Sequence, residues 1–186
     1  MLTDENTAVG AVNRFWTENF QRYFHRQYTP PRVTGGYDSA AGGGPACGGQ
    51  PAPRMNAFYC KPGDFLAWDQ QLMSAGYQQI GNAWVYLIIA HEWGHSIQAR
   101  IKTSTVSIQY ELQADCFGAA ALNGAVKGGY LHTQPSDVQQ IQQTLAAAGD
   151  KYPWTNPKDH GDVQQRTDAF NMGLSCGVQA CVARPN

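Results

Sequence analysis

Apolar side chains recur at intervals of three and four residues along much of this chain, which is the spacing of one face of an α-helix. The clearest case is the segment 82–101, in which apolar residues cover most of the helix surface and indicate a buried helix. Four further segments show the same period and predict helices, over residues 4–24, 108–126, 136–148 and 161–175. The chain is therefore predicted to be mainly helical.

The stretch between the first two predicted helices has a different pattern. Residues 56–59 and 65–68 are short apolar and aromatic runs on either side of the turn sequence Lys-Pro-Gly-Asp at 61–64, which predicts a β-hairpin. Residues 35–53 are rich in Gly and Pro and predict an irregular loop. Because no repeat or domain boundary interrupts the chain, we expect one α+β domain, mainly helical, over residues 1–186.

The charge of the chain narrows the range of functions. The 13 Lys and Arg residues and the 14 Asp and Glu residues give a formal net charge of −1. Binding to a nucleic-acid backbone needs an excess of basic residues, which this chain lacks. Its longest apolar run, residues 83–90, is also much shorter than the roughly 18 residues of a membrane span. We therefore expect neither a nucleic-acid partner nor a membrane span.

The five cysteines favour an oxidising compartment. They contain no C-x-x-C pair, which argues against a structural zinc site with thiolate ligands. We expect disulfides between the two pairs that are close in sequence, Cys47–Cys60 and Cys176–Cys181, rather than free thiols. Cys116 lies in an apolar helical pattern and is expected to be a buried free thiol.

The N-terminal residues 1–5 do not resemble a signal peptide, because they lack its apolar segment. A disulfide-bonded protein nevertheless has to reach an oxidising compartment. We therefore expect an extracytoplasmic or secreted protein, whose targeting or anchoring segment is not part of this sequence.

An H-E-x-x-H sequence lies on the predicted buried helix and consists of His91, Glu92 and His95. Residues i and i+4 lie on the same helix face, so both imidazoles can bind one ion. Glu92 projects about 100° further round the helix and can act as general base on a metal-bound water without ligating the metal. Two core histidines at this spacing by chance are the alternative, but burying them beside a carboxylate is costly unless they bind a ligand. We therefore expect one catalytic Zn²⁺.

The next predicted helix supplies a candidate for the third protein ligand that a catalytic zinc needs. Glu111 and Asp115 are four residues apart on a helix that is otherwise mostly apolar. Because the preceding loop is short, the two helices should be antiparallel neighbours. We expect Glu111 to ligate the metal and Asp115 to accept a hydrogen bond from the outer nitrogen of a ligating imidazole. An ordinary solvated acidic face is the alternative.

These motifs resemble those of known enzymes. The sequence His91-Glu92-x-x-His95 followed by Glu111-x-x-x-Asp115 is similar to that of the gluzincin metallopeptidases. A closer resemblance is to the bacterial putative neutral zinc metallopeptidase family, and it lies in IAHEWGHSIQ at 89–98, ELQADC at 111–116, ACG at 46–48, FYC at 58–60 and HGxxxQR at 160–166. The resemblance extends over about residues 46–174 and implies a zincin-like active-site helix pair with a small β-sheet.

The resemblance also implies an activity, that of a zinc-dependent endopeptidase acting on peptide or protein substrates with Glu92 as general base. In gluzincins a His from a later element stabilises the oxyanion, and His160 is similar in placement, with Arg166 two turns further on. A surface His at a helix start and a structural salt bridge are the alternatives for these two residues. Gluzincins also hold extended substrates against an edge strand, for which residues 55–59 or 65–69 are candidates, unless the hairpin only covers the core.

Two other functional classes remain open on the sequence alone. One is a zinc hydrolase that acts on non-peptide amides, and the other is a non-catalytic binding module that a metal stabilises. The presence of Glu92 argues against the binding module, because a purely structural metal site has no use for a base beside an open coordination position.

Overall fold

The computed structural model describes residues 1–104, 108–149 and 161–182. Within these ranges the chain forms seven helices and one three-stranded sheet. In chain order they are α1 (Leu2–Phe24), β1 (Arg32–Tyr37), β2 (Ala57–Cys60), β3 (Phe65–Asp69), α2 (Gln70–Gln79), α3 (Asn82–Ile101), α4 (Ile108–Lys127), α5 (Asp137–Ala148), α6 (Val163–Cys176) and α7 (Val178–Val182). The predicted α+β class with mainly helical content is confirmed.

Helix α3 lies at the centre of the fold, as expected for a helix that is apolar on nearly every face. Its Val85, Ile89 and Ile97 side chains are fully buried. Helices α1, α2, α4 and α5 and strand β2 all pack against it. From α1, Trp16 and Phe20 add two large aromatic rings to the same core. The H-E-x-x-H residues therefore lie on a helix that is packed against five other elements.

Helices α3 and α4 approach each other closely at two glycines. A Cβ atom at Gly94 would lie 2.6 Å from the carbonyl oxygen of Ala114, and one at Gly118 would lie 3.0 Å from that of Ala90. A side chain at Gly94 would push the two helices apart, since real Cβ atoms essentially never come that close to another atom, and one at Gly118 would make an unusually tight contact. The close approach brings the first turn of α4 next to the last turns of α3, where the histidines lie.

The sheet has the strand order β1-β3-β2. The predicted hairpin is present, because β2 and β3 are antiparallel and Ala57 lies opposite Trp68. Strand β1 is parallel to β3 and extends three residues into the segment 35–53 that was predicted to be an irregular loop. Gly35, at φ 84°, lies at a register shift within that strand, so a residue that indicates a loop in the sequence is accommodated as a strand irregularity. The central position of β3 leaves β2 as an edge strand.

The predicted disulfide pairing is half right. The Cys47–Cys60 disulfide is present. The predicted Cys176–Cys181 disulfide is wrong, because Cys181 is bonded to Cys116, and the prediction of Cys116 as a free thiol is therefore also wrong. Among the described residues the free cysteine is Cys176, which is exposed at the end of α6, whereas Cys181 is buried against α4. Proximity in sequence misled because the chain turns at Gly177 between the two cysteines.

Helices α2 and α7 were not predicted from the sequence. The side chain of Asp69, at the end of β3, caps α2 by accepting a hydrogen bond from the backbone N–H of Gln71. Helix α7 has five residues and is attached to α4 by the Cys116–Cys181 disulfide. None of the described helices combines the length and hydrophobicity needed to cross a membrane.

Loss of the Cys116–Cys181 disulfide should destabilise the protein more than loss of the Cys47–Cys60 disulfide. The first joins residues 65 apart in sequence and the second joins residues 13 apart. The loop-entropy relation gives about 4 kcal/mol for the longer loop and about 3 kcal/mol for the shorter. Urea unfolding of the paired Cys→Ser variants, Cys116→Ser/Cys181→Ser and Cys47→Ser/Cys60→Ser, measures both values. A larger loss from the 47–60 pair would contradict the expected order.

Candidate metal centre

Three side-chain atoms that could ligate a metal converge between α3 and α4. The Nε2 atoms of His91 and His95 are 3.1 Å apart. The Oε2 atom of Glu111 lies 3.2 Å from Nε2 of His91 and 3.5 Å from Nε2 of His95. Ligand atoms of a tetrahedral zinc are separated by about 3.3 Å, given zinc–ligand distances near 2.0–2.1 Å. The three atoms therefore have the spacing of one face of a zinc coordination tetrahedron.

The carboxylate of Glu92 lies beside this triangle. A ligand atom of Glu92 and those of the two histidines all lie within 4.8 Å of one another. Its Oε2 atom accepts a hydrogen bond of 2.9 Å from the backbone N–H of Tyr59 in strand β2. Burial raises the pKa of the Glu92 carboxyl above its ordinary value. One oxygen of Glu92 is therefore held by the edge strand, whereas Oε2 of Glu111 faces both histidine nitrogens.

The ring nitrogen of His91 that is not part of the triangle, Nδ1, contacts a buried ion pair. This Nδ1 atom lies 2.8 Å from Oδ1 of Asp115. Arg166 of α6 donates from Nη2 to that same oxygen at 2.7 Å and from Nε to the other at 2.8 Å. A third hydrogen bond runs from Nη1 of Arg166 to the carbonyl oxygen of Ala148. The Asp115 carboxylate thus joins a candidate metal ligand on α3 to a guanidinium on α6.

The charges around Asp115 decide its ionisation. Burial by itself would raise the pKa of its carboxyl, but Arg166 and His91 outweigh burial and lower it to about 2. Burial likewise opposes a charge on His91, and Asp115 with Glu111 outweighs it, so that in the metal-free protein the pKa of His91 rises to about 10. A metal ion bound at Nε2 would have to displace that proton.

His95 is oriented by different partners. Its Nδ1 atom lies 2.8 Å from Oε1 of Gln98, one turn further along α3. Its ring stacks on that of Tyr110, with the centroids 4.8 Å apart and an angle of 13° between the planes. Neither Gln98 nor Tyr110 was predicted to belong to the site. The sequence signal for Gln98 is its position on the histidine face of a helix whose buried residues are mostly apolar.

The sequence model of one protein family, described as "Putative neutral zinc metallopeptidase", matches residues 4–183. The chain belongs to this family. No curated protein and no solved structure shows a significant match to it. The family description names the metal whose ligand spacing the His91, His95 and Glu111 atoms reproduce. It also names a class of reaction, the hydrolysis of peptide bonds.

An open cleft of about 220 Å³ leads to the triangle in this zinc metallopeptidase family member. Strand β2 forms one wall of the cleft, through residues 56–59. The rest of it is lined by Lys61, the two histidines, Glu92, Tyr110, Glu111 and Arg166. Because β2 is an edge strand, the groups along its outer side face this cleft rather than another strand. Strand β3 is central, so the sequence alternative that placed a substrate along residues 65–69 is excluded.

His160, the predicted oxyanion residue, lies outside the described residues. Its neighbour Gly161 is buried, and a Cβ atom there would lie 3.2 Å from a side-chain carbon of Leu112, the residue after Glu111. Helix α6 then begins with a capping box, in which Asp162 and Gln165 bond to each other's backbone N–H groups. The chain therefore enters α6 beside the first turn of α4, close to the candidate ligand Glu111.

Proposed function

We propose that this protein is a zinc-dependent endopeptidase in which His91, His95 and Glu111 hold one Zn²⁺. The observation that carries the proposal is the ligand triangle, whose edges of 3.1, 3.2 and 3.5 Å match those of tetrahedral zinc, with a buried carboxylate beside it. A zinc ion bound there supplies Lewis acidity, which polarises an amide carbonyl and makes water a better nucleophile near neutral pH. Membership of the metallopeptidase family supports this assignment.

Glu92 is the proposed general base. The Tyr59 N–H bond fixes one oxygen, Oε2, and we assign proton transfer to the other oxygen, Oε1. Burial raises the pKa of this carboxyl above its ordinary value, and a base works best when its pKa approaches the working pH. Glu92 would take a proton from the attacking water and pass it to the leaving amine.

The edge strand β2 is the proposed binding surface for the substrate backbone. The backbone N–H of Tyr59 points away from β3, since it bonds to Glu92. Alternate residues of an antiparallel strand direct their N–H and C=O groups to the same side, so the carbonyl of Ala57 also points away from β3. An extended peptide can pair with that carbonyl by β-augmentation. This surface favours a peptide or protein substrate over a small non-peptide amide.

His160 and Arg166 receive different proposed roles. We propose His160 as the group that stabilises the oxyanion, supported by the position of Gly161 beside the first turn of α4. The guanidinium of Arg166 makes three hydrogen bonds to Asp115 and Ala148, which support the structural salt bridge that the sequence left open. We therefore propose that Arg166 acts through Asp115 on the orientation of His91.

The proposed location is outside the cytoplasm. Two disulfides are compatible with an oxidising compartment, which the cysteine content of the sequence also favoured. One of them, Cys47–Cys60, lies at the end of the strand that borders the cleft. The proposed activity would accordingly act on extracytoplasmic peptides or proteins.

Metal analysis combined with hydrolysis assays tests the proposed function. The purified protein should bind about one zinc per chain, as a site with three protein ligands does, and should cleave unfolded protein and extended peptides. Chelation should abolish cleavage, and added zinc should restore it. Small amides serve as the comparison substrate, because a preference for them would favour the non-peptide amidohydrolase. Absence of stoichiometric zinc in the protein would overturn the proposal.

A further inference from the structure

A chain of buried amide side chains connects His95 to the C-terminal helix α7. Gln98 Oε1 contacts Nδ1 of His95 at 2.8 Å. Gln98 Nε2 donates to the Tyr110 carbonyl at 2.6 Å and to Oε1 of Gln113 at 3.1 Å. Gln113 Nε2 donates to the carbonyl oxygen of Cys181 at 3.0 Å. Both glutamines are buried, on two helices that are otherwise largely apolar.

The hydrogen bonds of this chain can point in one direction only. A backbone carbonyl oxygen accepts and cannot donate, so the Cys181 carbonyl requires the NH₂ group of Gln113 to face it. Gln113 then presents its oxygen to Gln98, which therefore has to donate from its own NH₂ group. The Tyr110 carbonyl imposes the same orientation on Gln98 independently. A flipped Gln98 amide would place its oxygen against two other oxygens, which is electrostatically unfavourable.

The direction of the chain fixes the proton on His95. Because Gln98 presents Oε1 to the ring, the nitrogen that faces it, Nδ1, must carry the hydrogen. In the neutral ring the lone pair is then on Nε2, the atom that lies 3.1 Å from Nε2 of His91 and 3.5 Å from Glu111. We propose that Gln98 and Gln113 are positioning residues that hold His95 in the tautomer able to bind zinc. This inference rests on the proposed function for its ligand, but not for the hydrogen bonds themselves.

The outer end of the chain is anchored covalently. Helix α7 has only five residues, and a helix that short does not persist on its own. The Cys116–Cys181 disulfide ties it to α4, and Cys181 is the residue whose carbonyl accepts from Gln113. On α4, Cys116 follows directly after Asp115, which supports His91. The disulfide therefore joins the residue next to Asp115 to the residue whose carbonyl accepts from Gln113. We expect its loss to weaken zinc binding through Gln113.

The tautomer can be measured without any metal. Ring ¹⁵N chemical shifts of His95 in the zinc-free wild type at pH 8 should show hydrogen on Nδ1. Gln98→Met, which has a similar length but no acceptor, should shift the population towards hydrogen on Nε2. Hydrogen on Nε2 in the wild type would overturn the proposal. So would an unchanged tautomer in a folded Gln98→Met variant.

Zinc affinity gives a second readout, by competition with a chelator. Gln98→Met should lower the affinity about 10–100-fold, the usual result of removing a partner of a ligating imidazole. Gln113→Met should give a smaller loss, because the Tyr110 carbonyl still orients Gln98. Asn123→Leu is the matched control: this amide on α4 also donates to a helix carbonyl, that of Leu174, but away from the histidines. The zinc affinity of Asn123→Leu should stay within about twofold of the wild type, because a hydrogen bond that involves no partner of a metal ligand has no such effect.

The two readouts separate the inference from the proposed function. If the wild type has hydrogen on Nδ1 but binds no zinc, the proposed function fails and the tautomer assignment stands. If zinc binds and peptides are cleaved while Gln98→Met leaves both tautomer and affinity unchanged, the inference fails alone. The Cys116→Ser/Cys181→Ser variant adds a third comparison, since it should lower zinc affinity while Cys47→Ser/Cys60→Ser should not. Equal affinities of these two variants would contradict the role of the disulfide.

Discussion

Replacing Glu92 with glutamine should leave zinc bound and slow peptide hydrolysis by about 10²–10⁴-fold, the usual contribution of a general base. Glutamine keeps the size of the side chain and an oxygen that can still accept from the Tyr59 N–H. It cannot take a proton from water at neutral pH. Because the three proposed ligands are other residues, the zinc content should stay that of the wild type. Zinc analysis and kcat/KM on an extended peptide measure the two quantities.

The stability of the Glu92→Gln variant provides an independent check. Burial raises the pKa of Glu92, so the folded state binds this proton more tightly than the unfolded chain does. The ionised carboxylate therefore opposes folding at neutral pH, and removing it should not lower the unfolding temperature of the metal-free protein. Such a combination of lower activity with undiminished stability is typical of residues kept for function.

Two other glutamates serve as controls for this substitution. Glu111→Gln changes the proposed ligand and should lose zinc and activity together. Glu18→Gln changes an exposed residue of α1 and should leave both unchanged. A Glu92→Gln variant that kept zinc and the full hydrolytic rate would refute the proposed base. One that lost zinc would show that Glu92 is a ligand.

The sequence predicted the helices that carry the site because both signals involved are local. Helical periodicity defined 82–101 and 108–126 to within one residue of α3 and α4. The i, i+4 spacing then placed the two histidines on one face of α3, and Glu111 and Asp115 on one face of α4. The short connection between the two helices made them neighbours. Geometry that depends only on helix rise and on a short loop can be derived without knowing the rest of the fold.

What could not be predicted depends on contacts between distant parts of the chain. Cys181 pairs with Cys116 because α7 folds back onto α4, and nothing local distinguishes that pairing from one with Cys176. The hydrogen bond from Tyr59 to Glu92 depends on how the hairpin packs against α3. The proposed role of Gln98 depends on the Tyr110 carbonyl on the next helix and, through Gln113, on the Cys181 carbonyl, 83 residues further along the chain. Periodicity carries no information on such long-range pairs.

Asp115→Asn should both destabilise the metal-free protein and weaken zinc binding. The substitution removes the carboxylate that accepts two hydrogen bonds from the buried Arg166 guanidinium, and so breaks a buried ion pair. Removing one partner of a buried ion pair typically costs about 3–5 kcal/mol. Loss of the carboxylate behind His91 should lower zinc affinity about 10–100-fold. Urea unfolding and chelator competition measure the two effects separately.

The stability effect of Asp115→Asn should depend on pH. Arg166 and His91 hold the pKa of Asp115 down at about 2, below that of the unfolded chain, which is near 3.9. A group with a lowered pKa adds stability above its unfolded pKa and loses that contribution as the pH falls towards its folded value. The stability difference between wild type and variant should therefore shrink below about pH 4. It should also shrink as the pH rises above about 6.5, because Asp115 raises the pKa of His91 to about 10 and a raised pKa adds stability only while the group is protonated. A difference that grew as the pH fell below about 4 would contradict the ion pair.

A second substitution separates the two roles of Asp115. Arg166→Met in the Asp115→Asn background also removes the other half of the buried ion pair, so the double variant should recover much of the lost stability, as apolar replacements of buried ion pairs do. Zinc affinity should not recover, because the carboxylate behind His91 is still missing. Asp168→Asn, an exposed acidic residue on the same helix as Arg166, is the control and should change stability by less than about 0.5 kcal/mol. Recovery of both properties in the double variant would mean that Asp115 acts on zinc only through the fold, whereas recovery of stability alone would show that it acts on His91 directly.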